Sequence, residues 1–319
     1  MSITKIMPFW ALAVAAAAHA QPHSEQLRDL YQQHLAEEQR DHGEFDARTA
    51  EAARDLGLFF RGHNDPQSAH DALTHAVAID EKVFGPDAPR TLADVADLAT
   101  VSPASEAPRL FERAAKSSDA AAASRALLAL GEMRASQDDH QGAARFWRQA
   151  LAKQEAAAPD SPNAAMILNV LAQVVEPAEA IPLLHRALAL DRKIYGAGHP
   201  ETGGVDQLLA QSLLATGKAA DAVAPAGEAF SILSTKLGLE HPRTASAADT
   251  LADAFRATAK FAEAERYYRQ ALAIDEKILG PQHPTTLENI RNLAAFLRRR
   301  GKVNEAIVLE RRLVVNVAR

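Results

Sequence analysis

The fold is decided by residues 261–301, FAEAERYYRQALAIDEKILGPQHPTTLENIRNLAAFLRRRG. Apolar residues recur every three or four positions on each side of a central break, the spacing that places them on one face of an α-helix. Gly280 is placed to end the first helix and Pro284 to begin the second. The stretch therefore predicts two amphipathic helices joined by a short turn.

Related copies of this stretch recur along the chain. The turn motif Gly-x-x-His-Pro is found at residues 196–200, 238–242 and 280–284, with 42 residues between successive copies. The helical motif of residues 271–277, ALAIDEK, is repeated as AVAIDEK at 76–82 and as ALALDRK at 187–193. Self-similarity at this period predicts a tandem array of helix pairs, and no segment shows the two-residue period of a β-strand.

The copies predict about seven helix pairs between residue 45 and the last residue. The second helices are expected near residues 66–83, 103–116, 139–155, 177–195, 219–237, 261–279 and 303–318. In the second and fourth pairs the connection is shorter by four residues, about one helical turn. Pro103 and Pro177 are expected to start the second helix in these two pairs.

The third pair resembles the tetratricopeptide repeat (TPR). Leu130, Gly131, Ala143, Trp147 and Ala150 reproduce the spacing of small, aromatic and apolar residues that this repeat uses. The 42-residue units resemble the longer repeats of kinesin light chains. The resemblance implies an all-α, right-handed superhelical solenoid over residues 45–319, with residues 21–44 as a leading helix. Ala226 and Glu310 depart from it, because an aromatic residue is usual at these positions.

The first 20 residues are predicted to be a secretory signal peptide. Lys5 precedes the apolar run 6–18, and Ala18-His19-Ala20 forms a small-x-small cleavage site. The run is too short for a membrane helix, which needs about 20 apolar residues. The chain has no cysteine, hence no disulfide. These features predict an exported protein, with the periplasm favoured and secretion as the alternative.

Composition and motifs argue against several functions. The chain has a formal charge of −6, and −7 without Lys5, which disfavours general binding to nucleic acids. It lacks the glycine-rich, zinc-binding and nucleophile motifs of common enzymes. His199, His241 and His283 belong to successive repeats and therefore stand too far apart to share a metal ion. We predict no enzyme activity, cofactor, metal site or membrane span.

A peptide-binding face is implied by the TPR resemblance, because in that family the exposed side chains of the first helices line the concave surface. Amide groups can bond to a peptide backbone, and arginine binds carboxylates with two parallel hydrogen bonds. We expect Arg256, Arg291, Arg298 and Arg299 to form a basic end that favours acidic or C-terminal groups. The full set of candidate residues is Asn169, Gln207, Gln211, Asp249, Asp253, Arg256, Glu288, Arg291, Asn292, Arg298 and Arg299.

The function predicted from sequence is a non-enzymatic scaffold that binds a protein or peptide along this face. A second hypothesis is self-assembly through the last helix, residues 303–318, which carries Ile307, Leu309, Leu313, Val314, Val315 and Val317. Terminal repeats usually end in a polar face, so an apolar one would suit a homo-oligomer. Capture of a partner and self-assembly are both left open at this point.

Overall fold

The computed structural model describes residues 21–314 of the chain, with side chains from residue 24 to residue 313. The predicted signal peptide, residues 1–20, lies outside the described residues, as do residues 315–319. The chain divides into two compact units, residues 1–130 and 131–319, and the boundary falls within one helix. Every regular element between residues 21 and 314 is an α-helix, which confirms the all-α prediction.

Unit 1 begins with a single helix that is followed by helix pairs. The elements are α1 (Gln21–His42), α2 (Ala47–Gly62), α3 (Pro66–Phe84), α4 (Pro89–Val101), α5 (Ala107–Ala114) and the start of α6 (Ala120–Ala135). Each of α1 to α4 packs against the next helix in the chain. Small residues are buried where these helices pack, including Ala69 and Ala76 in α3.

Unit 2 continues the same pattern of helix pairs. Its elements after α6 are α7 (His140–Ala157), α8 (Pro162–Ala172), α9 (Pro177–Ile194), α10 (Pro200–Ala215), α11 (Ala219–Leu237), α12 (Pro242–Ala257), α13 (Phe261–Ile278), α14 (Pro284–Arg299) and α15 (Val303–Val314). The predicted TPR-like solenoid of helix pairs is confirmed, because the seven second helices are α3, α5, α7, α9, α11, α13 and α15. Even-numbered helices from α2 to α14 are the first helices of these pairs.

The Gly-x-x-His-Pro motif builds the turn between one pair and the next. Gly280 has φ +86°, a conformation that an L side chain rarely adopts, and its carbonyl accepts a hydrogen bond of 2.9 Å from the Thr286 hydroxyl. His283 is the N-cap of α14, since its Nδ1 accepts from the Thr285 backbone N–H at 3.3 Å. His199 and His241 cap α10 and α12 in the same way. These histidines are therefore part of the architecture.

The Leu-Gly step of the third pair is explained by close packing. A Cβ atom on Gly131 would lie 2.1 Å from Nε1 of Trp147, so only glycine lets the indole ring approach the α6 backbone. Trp147 is buried against that position. The aromatic residue and the glycine of the TPR signature are thus one contact between α6 and α7.

The two shortened connections differ in detail. Helix α9 begins at Pro177, as predicted, but α5 begins at Ala107 and not at Pro103. Ser102 is extended, with ψ 153°, as the residue before a proline usually is. Residues 104–106 then form a turn, and the Pro103 carbonyl accepts from the N–H groups of Glu106 and Ala107 at 2.9 Å. Helix α5 is consequently one turn shorter than expected.

Helix α15 buries part of its apolar face. Leu309 and Leu313 pack against the core formed by α12, α13 and α14, while Val308 is 62% exposed. In residues 21–314 no helix combines the length and the apolar character that crossing a membrane requires.

Candidate functional site

The candidate site is the first-helix face of unit 2, which we define as the outward side chains of α8, α10, α12 and α14. The second helices and the buried alanines occupy the other side of these four helices. All 11 residues of the predicted binding face belong to these helices, but they differ in whether their polar atoms are already bonded.

The upstream part of this face is closed by bonds between its own side chains. Gln207 on α10 donates to the Ser246 hydroxyl at 2.7 Å and to Thr250 at 3.3 Å, and Gln211 donates to Thr250 at 3.2 Å. Asn169 on α8 accepts from the Gln173 side chain at 3.3 Å. The amide groups predicted to hold a peptide are therefore engaged in cross-links between neighbouring first helices or within one helix.

Arg256 on α12 is also engaged. Its guanidinium bonds to the Asp253 carboxylate at 2.8 Å and to the Tyr268 hydroxyl at 3.0 Å, and Tyr268 donates to Asp253 at 2.5 Å. Burial raises the pKa of Tyr268 far above its usual range, and Asp253 raises it further. The three side chains form a closed network that ties α12 to α13.

Arg298 occupies the equivalent position in the next repeat, 42 residues later, and is held in the equivalent way. It forms two hydrogen bonds to Glu310 of α15, at 3.0 and 2.5 Å. Glu310 stands where Tyr268 stands one repeat earlier, which accounts for the missing aromatic residue. Two of the four arginines of the predicted basic end are thus neutralised by an acid within their own helix pairs.

The remaining candidates are Asp249, Glu288, Arg291, Asn292 and Arg299. Within residues 24–313 none of these five side chains forms a hydrogen bond or an ion pair. Arg291, Arg299 and Glu288 are exposed, and Asn292 is half-buried. Asp249 on α12 is half-buried, and its Oδ1 atom is buried. The other four side chains, on α14, form the section of the face, between α12 and α14, whose polar groups are available to a ligand.

Four carboxyl groups on first helices have a pKa that burial raises, namely those of Asp94, Glu132, Asp206 and Asp249. Burial raises the pKa of Asp94, Asp206 and Asp249 to about 7 in each case. Neighbouring acids add to the effect, with Asp253 and Glu288 acting on Asp249. Arg256 acts in the opposite direction on Asp249. Asp249 is therefore poised to change charge near neutral pH on the open section of the face.

Unit 1 carries its own polar network on the first helices α2 and α4. Arg54 pairs with Asp94 at 3.0 Å and with Asp97 at 2.8 Å, and Arg61 reaches Asp97 at 3.3 Å. None of these four residues is in the predicted set of binding residues. The sequence signal for such a contact is a separation of 43 residues. Arg54 and Asp97 are 43 residues apart, and so are Gln207 and Thr250, which are also hydrogen-bonded.

A second concave region in unit 2 was not predicted. A cavity of about 470 Å³ lies where α6 meets the start of α7 and is lined by Arg134, Asp139, Gln141, Gly142, Arg145 and Phe146. Asp139 is already the N-cap of α7, with its carboxylate accepting from Gly142 N–H at 2.8 Å. Across the described chain no three His, Asp or Glu side chains are grouped in a way that could hold a metal ion.

Comparison with known proteins finds a family match for the last repeats of the chain. A family model described as tetratricopeptide repeat matches residues 205–277 and 243–314. No curated protein matches the chain. The matched residues cover the last repeats of unit 2, which are those with the most regular Gly-x-x-His-Pro spacing.

Solved structures of similar fold span most of the chain. A Rap protein complexed with Competence and Sporulation Factor is 15% identical with a TM-score of 0.54, over 92% of this chain and 77% of that one. PilF of Pseudomonas aeruginosa is 20% identical with a TM-score of 0.50, over 75% of this chain and 95% of that one. A putative kinesin light chain of Podosopora anserina is 22% identical over 71% of this chain and 94% of that one, with a TM-score of 0.42.

The first two structures support the fold, and the family model supports the repeat type. At these identities the solved structures say nothing of what this chain binds. The family match identifies tetratricopeptide repeats within residues 205–314, and the two structures show the same helix-pair fold over most of the chain.

Proposed function

We propose that this protein is a non-enzymatic scaffold that binds a peptide segment of a partner protein along the first-helix face of unit 2. The TPR fold supports a role in protein interaction in general. A solved protein of similar fold, the Rap protein, is complexed with Competence and Sporulation Factor, so this architecture is compatible with a bound factor.

The observation that carries the proposal is the uneven bonding of the face. Upstream side chains are bonded to one another, whereas Glu288, Arg291, Asn292 and Arg299 on α14 have no bonded partner in the described chain. A guanidinium group without a partner gains a charge-assisted hydrogen bond when it meets a carboxylate. We therefore assign acidic or C-terminal carboxylate recognition to Arg291 and Arg299, and no longer to all four arginines of the predicted basic end.

The test uses a library of peptides with free or amidated C-termini and with varied numbers of glutamates. Binding to the full chain is measured by fluorescence anisotropy at low and high salt. The variant Arg291→Gln/Arg299→Gln should weaken the best acidic peptide by about tenfold, since a charged hydrogen bond is worth roughly 1.5–3 kcal/mol in such settings. The effect should shrink at high salt because these arginines are exposed.

The matched control is Arg256→Gln/Arg298→Gln, which changes the net charge by the same amount. These arginines are bonded to Asp253 and Glu310, so their loss should change peptide affinity much less. Equal losses for the two double variants would show that only overall charge matters. Unchanged affinity in the first variant would overturn the assignment.

Self-assembly through α15 remains the alternative proposal. Val303 and Val308 are exposed on this helix, which supports it, although Leu309 and Leu313 are used in packing. Light scattering at high protein concentration distinguishes the two proposals. A monomer at all concentrations would exclude assembly and leave peptide capture.

We also propose that the protein is exported, with the periplasm favoured over secretion, on the strength of residues 1–20. N-terminal sequencing of the protein recovered from cell fractions tests this directly. A mature chain that begins at Gln21 supports export, and a chain that retains residues 1–20 in the cytoplasm contradicts it.

A further inference from the structure

The junction between α3 and α4 contains two buried aspartates that face each other. Asp80 on α3 is fully buried and Asp94 on α4 is 2% exposed. One oxygen of each carboxyl group, Oδ1 of Asp80 and Oδ2 of Asp94, is buried and has no hydrogen-bond partner in the described chain. Two facing carboxyl oxygens can form a hydrogen bond with each other only if a proton lies between them.

Arginines occupy the outer oxygens of the pair. Arg90 on α4 lies 3.2 Å from Oδ2 of Asp80, and Arg54 on α2 lies 3.0 Å from Oδ1 of Asp94. Asp97 on α4 shares Arg54, and Glu51 on α2 lies 3.8 Å from Arg90. The charged groups around the pair thus come from α4, which carries Asp94, and from α2.

Another pair in the same chain forms a hydrogen bond at this position. Asp275 on α13 and Asn289 on α14 stand at the equivalent positions, 195 residues later. There the Asn289 amide donates to the Asp275 carboxylate at 2.8 Å. The equivalent of that N–H donor in the α3–α4 junction is a carboxyl group, which can donate only in its protonated form.

We propose that Asp80 and Asp94 hold one proton between them, and that this proton fastens α3 to α4, so that the junction is tightest in acid and loosens as the pH rises through neutrality. The pKa of Asp94 is raised to about 7, mainly by burial; Arg54 acts in the opposite direction, and the charge of Asp80 adds to the rise. When the proton leaves, two carboxylates face each other in a buried position and the hydrogen bond is lost.

The direction of the pH dependence follows from the linkage between proton binding and folding. The folded pKa of Asp94 is raised above its ordinary value of 3.8, so the folded chain binds a proton that the unfolded chain has released. The resulting stability is complete below the ordinary pKa and is lost as the pH rises through the folded pKa. Asp94 also pairs with Arg54 on α2. The contact between the first helices α2 and α4 in unit 1 therefore depends on the same proton.

The test is hydrogen–deuterium exchange of the full chain at pH 6, 7 and 8, with the variant Asp94→Asn as the matched control. For the natural chain we expect the protection of α3 and α4 amides, corrected for intrinsic exchange, to rise about tenfold from pH 8 to pH 6, as one proton with a pKa near 7 requires. In Asp94→Asn the amide can donate as Asn289 does, so the protection should be nearly independent of pH.

The same dependence on pH in both proteins would overturn the proposal, because another group would then be responsible. If Asp94→Asn fails to fold, Asp80→Asn provides the same control from α3. A direct reading is the ¹³C chemical shift of the Asp94 carboxyl group in the natural chain. Titration centred between pH 6 and 8 supports the shared proton, and titration below pH 5 overturns it.

Discussion

Residues 49–100 and 244–295 are two copies of one structural segment, and they place different residues against an equivalent buried aspartate. The copies match without a gap at an offset of 195 residues. Both contain a buried aspartate at the end of a second helix, Asp80 in one and Asp275 in the other. The facing residue on the next helix is Asp94 in unit 1 and Asn289 in unit 2. The two copies therefore differ in the group that faces the buried aspartate, which is an amide in unit 2 and, in our proposal, a protonated carboxyl group in unit 1.

The flanking residues change together with the facing residue. Arg54 and Arg90 accompany the carboxyl pair in unit 1, and Asp249 and Thr285 stand at the same positions in unit 2. A second buried carboxyl group is tolerated only where cations are near, because an uncompensated buried charge is costly. In residues 244–295, where both arginines are missing, the facing residue is the amide Asn289.

The same substitutions decide whether the outer face is open. In unit 1 Arg54 bonds to Asp97 on the next first helix, at 2.8 Å. In unit 2 the equivalent residues are Asp249 and Asn292, which form no such bond within residues 24–313. Asp249 stands where unit 1 has Arg54, so unit 2 lacks this cation at the junction. The same difference leaves the α12–α14 section of the face available to a ligand.

The largest predicted loss of stability is expected when unit 2 receives the carboxyl pair of unit 1 without the two arginines that accompany it. Asn289→Asp would place a second carboxyl group against Asp275, with Asp249 nearby and no arginine at position 285. We expect a loss of about 3 kcal/mol in the free energy of unfolding at pH 8, the scale of a buried charge without a partner. Urea denaturation monitored by circular dichroism measures it.

This loss should shrink as the pH falls. The new carboxyl group has a folded pKa above its unfolded value, so protonation relieves the penalty toward pH 5. Asp94→Asn, the reverse exchange in unit 1, is the control and should cost much less at pH 8. A small loss in Asn289→Asp that does not change with pH would mean that the junction in unit 2 relaxes around the charge.

The fold was accessible from the sequence because its determinants are local. Spacing of apolar residues, Gly280 at the turn and Pro284 at the start of a helix act within a few residues of their position. The start of α5 was misplaced at Pro103 because a proline can precede a turn as well as a helix. Residue identity alone does not separate these two outcomes.

The second-largest expected change in stability is at Arg54, whose position in unit 2 is occupied by Asp249. Arg54→Gln removes the cation shared by Asp94 and Asp97 and leaves a buried carboxyl group with a weaker partner. Since Arg54 itself is partly exposed, we expect a loss of about 1–2 kcal/mol in the free energy of unfolding at pH 8. The pKa of Asp94 should rise further. Arg48→Gln, at an exposed position of the same helix, should leave stability unchanged; an equal loss there would contradict the role of Arg54.

A smaller effect is expected at Tyr268, whose equivalent in unit 1 is Leu73. Tyr268→Phe keeps the ring and removes the hydroxyl that bonds to Asp253 and Arg256. The expected loss is about 1 kcal/mol, the usual net value of a hydrogen bond. Thermal unfolding followed by circular dichroism measures it. No loss would mean that Asp253 and Arg256 alone hold the end of α12.

The candidate site was less accessible than the fold because its state depends on contacts between repeats. The sequence suggested Gln207, Gln211 and Arg256 as ligand contacts from their places on the first helices. Their bonds to Thr250 and Tyr268 depend on the distance between neighbouring helices, which no single helix reveals. Arg291 and Arg299 stayed available because the following repeat offers them no acid in the described chain.

The smallest predicted change in stability tests the last repeat, where an exposed ion pair replaces the tyrosine network. Glu310→Gln removes the partner of Arg298, and no measurable change in unfolding is expected because exposed ion pairs contribute little. The pKa of Arg298, which Glu310 raises, should fall back toward its usual value. The affinity for acidic peptides in the anisotropy assay should increase, because Arg298 then becomes a third free arginine beside Arg291 and Arg299. A loss of stability without a gain in affinity would mean that Glu310 holds the helix pair together, as Tyr268 does one repeat earlier.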